Sequence, residues 1–364
     1  MSKLWTALIG NPENRRVGLF EKAAADIGVA APRVVPWLDV LRGEALFDPG
    51  EVVRIDSPGE NAEVTRLLRG LAEPVDDYRV EGTAAWYRGF TTVLEGLHTQ
   101  IKEAGAIALA DPQDTATVFD KARCHALLLE RGIPVPVALP EIEGYDSLVA
   151  AIAPPWHGNV FVKIRHGSSA SGVIALVVRK GRPSWATTST ELVREADEVK
   201  LFNSLQVRHY RNQADIRTLI DVLAVDGLHV EAWVPKIAFQ GRQCDVRVVT
   251  VAGKATHAVV RSSTQPMTNL HLGGERADLA AFQEFIGSEW WTAILDLAEQ
   301  AAACFPNSHC LGVDILPGAY GGQCVGEMNA YGDLLPNLVG LPGTLGEGVD
   351  TYTAQLRSMI EMRA

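Results

Sequence analysis

The chain has 364 residues, room for two or three domains at ~150 residues each, and its 47% hydrophobic and 21% charged residues are those of a folded globular protein. With 44 Asp and Glu against 33 Lys and Arg, the net charge of −11 disfavours duplex nucleic acid or an anionic membrane and favours a small ligand or a protein as partner. No stretch approaches the ~20 apolar residues of a membrane span, the first apolar run is too short for a signal peptide, and five cysteines without CxxC spacing suggest neither a disulfide framework nor a zinc site, so a cytoplasmic location is expected.

Residues 4–9 read as a strand and Gly10 to Asn14 as a turn, after which Val17, Phe20, Ala24 and Ile27 recur at helical spacing until Gly28 supplies a cap. A strand at 52–55, a helix near 60–70 and an apolar run at 106–110 continue the alternation, which predicts a small parallel sheet over residues 1–112. The loop at Gly10 lacks GxGxxG, so a dinucleotide site there has little support. Asp120-Lys121 opens a short helix to Arg131, and Gly132 with Pro134 and Pro136 then starts an extended segment, placing a boundary near 112–119. Beyond it strands come in pairs: 159–165 with 173–178, 244–251 with 255–261, and 311–316 with 323–328. A helix bearing Trp290, Ile294, Leu297 and Ala301 on one face and a final helix near 352–362 complete the chain.

In the first hairpin the period of two puts Val160, Val162 and Ile164 on one face and Phe161, Lys163 and Arg165 on the other. The following His166-Gly167-Ser168-Ser169-Ala170-Ser171-Gly172 can lay backbone N–H groups and hydroxyls over phosphate oxygens, with Lys163 as a point charge. An ordinary hairpin with a solvated lysine reads the same way. In the second hairpin a three-residue loop, Ala252-Gly253-Lys254, sets Asp245 opposite Arg261 with Arg247 and His257 on the same face. That cluster suits a polyanion, or equally a solvated face with a salt bridge. In the third, Glu327 and Asn329 share a face, with Asp314 on the partner strand. Two carboxylates and a carboxamide select a hard ion, Mg²⁺ or Mn²⁺, although a strand-end turn beside a solvated glutamate has the same pattern. The stretch 228–235, which Pro235 ends, could leave backbone groups at Trp233 and Val234 unpaired for a planar base.

The order of these pieces resembles the ATP-grasp superfamily, most closely its ribosomal-protein glutamate ligase branch, over roughly residues 115–340. Asp120-Lys121 to Pro136, Phe161-Val162-Lys163 with its Gly/Ser loop, 230–234, Asp245-Val246-Arg247, Arg261 with Asn269 and Gly273-Gly274, Asp314, and Glu327-Met328-Asn329 carry the resemblance. It implies an α/β fold of two grasping lobes, 113–230 and 231–364, behind a small Rossmann-like domain at 1–112. It also implies that Lys121 and Lys163 contact ATP phosphates under the loop bearing Ser168, Ser169 and Ser171, and that Glu231, Trp233 and Val234 hold the adenine. Asp314, Glu327 and Asn329 would bind Mg²⁺, Arg261 would stabilise the transferring phosphoryl group, and Asp245, Arg247 and Asn269 would serve the nucleotide, phosphate or acyl end.

The implied reaction is ATP-dependent ligation of a carboxylate and an amine, small-molecule or peptide, through an acyl phosphate. A nucleotide-binding module without turnover and a phosphotransferase are the alternatives. Dimerisation is common in the superfamily, so a homodimer stays open. Leu272 stands where that branch carries a basic residue, which argues against a glutamate-like acceptor. Specificity is expected from the first domain, 86–90 and the loop around Asn269, with Trp86 and Phe90 readable as core residues instead.

Overall fold

The computed structural model describes residues 5–362 apart from 75, 77, 168, 169, 196, 197, 333 and 334. Strands β1 (Thr6–Gly10), β2 (Arg33–Pro36), β3 (Val52–Ile55) and β4 (Ile107–Ala108) form a parallel sheet in the order β2-β1-β3-β4. Helices α1 (Arg15–Asp26), α2 (Trp37–Arg42), α3 (Ala62–Arg69) and α4 (Thr83–Glu103) are interleaved with them. Asn14 and Asn61 cap α1 and α3 by accepting from the backbone N–H groups of Arg16 and Val64. The expected strands and these two helices are present; β2 and the long α4 were not anticipated. Helix α4 lies so close to α3 that a Cβ at Gly89 would stand 2.0 Å from the Leu68 carbonyl oxygen.

Helices α5 (Pro112–Phe119) and α6 (Lys121–Glu130) lead into the middle part of the chain, with Asp120 capping α6 through the Arg123 N–H. There α7 (Tyr145–Ala151), β5 (Val160–Ile164), β6 (Ile174–Arg179), β7 (Arg182–Glu195), β8 (Glu198–Tyr210), α8 (Gln213–Ala224) and β9 (Leu228–Ala232) follow in turn. The strands make an antiparallel sheet ordered β8-β7-β6-β5-β9. Val160, Val162 and Ile164 are buried with Ile216, Leu219 and Ile220 of α8, which leaves Phe161 and Lys163 on the other face.

The last sheet contains β10 (Ala238–Phe239), β11 (Arg242–Val251), β12 (Lys254–Ser263), β13 (Glu275–Arg276), β14 (Cys310–Pro317) and β15 (Gln323–Asn329). Its order is β13-β12-β11-β14-β15, with β10 on β11. Helices α9 (Leu279–Ile286) and α10 (Ser288–Ala303) supply Phe282, Ile294, Leu297 and Ala301 to its core, and α11 (Thr351–Glu361) packs on α1. Asp245 does face Arg261, but not by the expected route. The chain turns through only Ala252 and Gly253, at φ of 49° and 76°, with Val251 opposite Lys254. A bulge between Val249 and Thr250 supplies the missing offset, so Arg247, His257 and Arg261 still share a face. Asp314, on the partner strand as expected, pairs with Glu327, and Gly312 with Asn329, beside a bulge between Asp314 and Ile315.

Candidate active site

The polar face of the middle sheet and the floor of the last sheet bound a cleft of about 680 Å³. Eight of the residues singled out in the sequence line it: Lys163 and Glu231 from β5 and β9, Val234 beyond β9, Asp245 and Arg261 from β11 and β12, Asn269, and Asp314 with Glu327 from β14 and β15. A smaller chamber of about 360 Å³, bordered by Lys121, Lys163, Glu231 and Glu327, adjoins it.

On the middle-sheet side, the Lys163 ammonium lies 2.5 Å from Glu231 Oε1 and donates to the Gly326 carbonyl at 3.3 Å. The other Glu231 oxygen is 3.1 Å from His229 Nε2. Burial opposes the Glu231 charge, but Lys163 and His229 overcome it and hold the carboxyl at about 2. Lys121, in the first turn of α6, reaches Glu327 Oε1 at 2.8 Å and the Gly167 carbonyl at 2.5 Å. The α6 start is itself fixed by the Asp120–Arg165 pair, with two contacts of 2.7 Å. Lysines from α6 and β5 thus converge beside Glu327.

On the floor, Asp314 accepts from the guanidinium of Arg247 through both oxygens and from Arg261 Nη2 at 2.9 Å. These contacts override its burial and hold its carboxyl well below the usual carboxylate range. Arg261 also donates to Asp245 Oδ1 at 2.8 Å, and the second Asp245 oxygen accepts from the Thr268 hydroxyl.

Among the described residues no three His, Cys, Asp or Glu side chains are placed to hold a metal. The donor set is two carboxylates, facing each other on β14 and β15, plus the Asn329 carboxamide, whose Nδ2 has no hydrogen-bond partner. Hard oxygen donors in that number fit Mg²⁺, which keeps its remaining positions for water or phosphate oxygens.

Other expected residues stand differently. The Trp233 N–H is not left unpaired, because it donates to the Asn159 carbonyl at 2.9 Å, and its ring packs on Phe161 at 5.2 Å instead of lining the cleft. Arg247 acts behind the floor through Asp314. Ser171 does not line the cleft, and Ser168 and Ser169 lie outside the described residues. The loop's far end is nevertheless fixed. Gly172 has φ +66°, and a Cβ there would come within 2.1 Å of Ile164. Thr188 and Ser189 of β7 donate to the Val173 and Ala170 carbonyls. Trp86 and Phe90 stack in the core of the first sheet at 4.9 Å, whereas Tyr87 stacks on His166 at 3.9 Å.

Sequence reasoning missed Lys236 and took Thr268 only as part of the loop around Asn269; both are in the cleft wall. Pro235 signalled only the end of a strand, and a lysine beyond it carries no pattern of its own. It also missed that Met267 and Leu272 are buried against Ala175 and pack with Ala170 and Val173, so the 267–272 segment crosses to the middle sheet through apolar contacts.

No family model matches the chain, and no curated protein matches its sequence. Its structure is similar to D-cycloserine synthetase DcsG, with a TM-score of 0.57 and 16% identity over 99% of both chains. It is also similar to the ATP-grasp ligase PsnB complexed with precursor peptide PsnA2 and AMPPNP, with a TM-score of 0.54 and 15% identity over 100% of this chain and 98% of that one. A third likeness, to the ADP complex of purK, N5-carboxyaminoimidazole ribonucleotide synthetase, has a TM-score of 0.51 and 14% identity over 92% of this chain and 73% of that one. The chain has the fold of these ligases, first sheet included.

Proposed function

We propose that the chain is an ADP-forming carboxylate–amine ligase that binds Mg-ATP between the middle and last sheets. The observation that carries this reading is that Lys163, Asp314 and Glu327 line one cleft with Val234, while Lys121 borders the adjoining chamber beside Lys163 and Glu327, and Asn329 follows two residues after Glu327 on β15. The likeness to PsnB, solved with AMPPNP, and to DcsG supports it. Residues 1–112 form the preceding domain, and 113–230 and 231–364 the two lobes.

The adenine lies against Val234, and the phosphates run toward Lys163, Lys121 and the 167–172 loop. Asp314, Glu327 and Asn329 would hold Mg²⁺, which would supply neutralisation of phosphate charge. Arg261 and Asn269 flank the transferring phosphoryl group, and Arg247 positions Asp314. A substrate carboxylate oxygen attacks the γ-phosphorus, the bond to the β–γ bridging oxygen breaks, and ADP leaves. An amine then attacks the acyl carbon, phosphate departs, and the nitrogen loses a proton. The protein contributes positioning and electrostatic stabilisation. The acceptor carboxylate belongs to a small molecule or a peptide. Leu272 is buried among apolar residues and offers no charge to a glutamate-like side chain, which argues against close kinship with the glutamate ligases.

Incubation with ATP, Mg²⁺ and panels of amino acids and short peptides tests the reading. ADP release with amide formation, or with hydroxamate when hydroxylamine replaces the amine, is expected. ADP accompanied by a phosphoester would make the protein a phosphotransferase instead.

A further inference from the structure

Four carboxylates line the cleft, and each has a basic partner at hydrogen-bonding distance: Glu231 with Lys163, Glu327 with Lys121, Asp245 with Arg261, and Asp314 with Arg247 and Arg261. Among the described residues, Lys236 is the cleft-lining cation left over. Its nearest carboxylate oxygen, on Asp245, is 3.7 Å away, and its hydrogen bond goes to the Thr268 hydroxyl oxygen at 3.0 Å. Thr268 gives its own proton to Asp245, so it is an acceptor toward Lys236. An ammonium has three N–H donors. Among the described residues the other two have no acceptor at hydrogen-bonding distance, on a side chain that is only 7% exposed.

A buried ammonium whose nearest counter-charge stands at 3.7 Å and is shared with Arg261 is costly. Burial pushes Lys236 below the ordinary lysine value, with Asp245 only partly opposing. The backbone on either side is pinned, since the Ile237 N–H donates to the Pro317 carbonyl and the Ala319 N–H to the Pro235 carbonyl, both at 2.8 Å. The ammonium is thus preorganised, two residues past Val234, on the wall leading toward Asp245 and Arg261. A nucleotide with its base at Val234 and its phosphates at Lys163 would run its sugar and α-phosphate along this wall.

We propose that Lys236, seated on Thr268, is a ligand-binding cation that donates to an oxygen of the sugar–α-phosphate stretch of the bound nucleotide; this rests on the Mg-ATP reading above. Ribose hydroxyls and α-phosphate oxygens offer the same acceptor chemistry, and the test separates them.

Calorimetric titration of wild type and Lys236→Met with AMPPNP plus Mg²⁺, with AMP and with adenosine, together with the Tm of each ligand-free protein, is the experiment. Lys236→Met should bind AMPPNP and AMP at least tenfold more weakly while its ligand-free Tm stays level or rises, because a buried charge that Asp245 only partly offsets has gone. A structural lysine would instead lower that Tm and leave the affinities unmoved. Equal weakening toward adenosine identifies the ribose as the contact, and unchanged adenosine binding identifies the phosphate. AMPPNP binding that Lys236→Met leaves intact overturns this assignment alone; no AMPPNP binding by wild type overturns the nucleotide reading and this assignment with it. If Lys236→Met does not fold, Lys236→Gln gives the same readouts.

Discussion

Glu231→Gln probes the charge pair that β5 and β9 bring together in the cleft. The residue is 3% exposed, its carboxylate lies 2.5 Å from the Lys163 ammonium and 3.1 Å from His229, and its carboxyl is held at about 2 against an ordinary 4.5. At about 1.36 kcal/mol per tenfold change in proton affinity, this difference corresponds to about 3 kcal/mol of folding stability. Because the folded-state value is depressed, that stability is fully present above pH 4.5 and is lost as pH falls from 4.5 toward 2. The amide removes the titrating group and leaves Lys163 buried beside a neutral oxygen. Urea unfolding followed by tryptophan fluorescence should place the variant about 3 kcal/mol below wild type at pH 7, with the gap closing as pH falls through 4.5. A gap that is independent of pH, or below about 1 kcal/mol at pH 7, would refute the assignment of Lys163 and Glu231 as a mutually compensating pair.

Asp120→Ala removes both the cap of α6 and the partner of Arg165, so a loss of about 2 kcal/mol is expected in urea melts, together with weaker nucleotide binding as Lys121 loses its register. Unchanged stability would show that the cap and ion pair are dispensable. Gly89→Ala places a Cβ 2.0 Å from the Leu68 carbonyl oxygen and forces α3 and α4 apart, costing at least about 1–3 kcal/mol; a wild-type Tm would contradict the observed helix spacing.

Much of the floor was legible because side chains alternate over the short stretches 245–247 and 327–329. A period of two put Glu327 and Asn329 on one face and Asp245 opposite Arg261; a bulge rescued the latter pairing when the loop proved one residue shorter than expected, and a second bulge beside Asp314 brings it opposite Glu327. What escaped was non-local. The counter-charges of Asp314 and Glu327 come from β11, β12 and α6, and no spacing along the chain announces them. Strand β7 was missed because its centre, Thr187 to Thr190, is buried yet polar and shows no apolar alternation; hydroxyls of Thr188 and Ser189 serve the loop carbonyls instead. Helix α4 contains Gly89, Gly96 and several threonines, weak helix formers that the packing against α3 and the first sheet overrides. Glu231, read as an adenine contact, does line the cleft, but nothing along the chain signalled that its partner there is Lys163.

Titration of the purified protein with AMPPNP, with and without Mg²⁺, alongside Glu327→Gln tests the central claim most directly. The account predicts binding that depends on the metal and falls at least tenfold in the variant, because Glu327 is one of two carboxylates in the oxygen set facing the phosphates. Absence of binding under either condition, or equal binding with and without Mg²⁺ in both proteins, would contradict it.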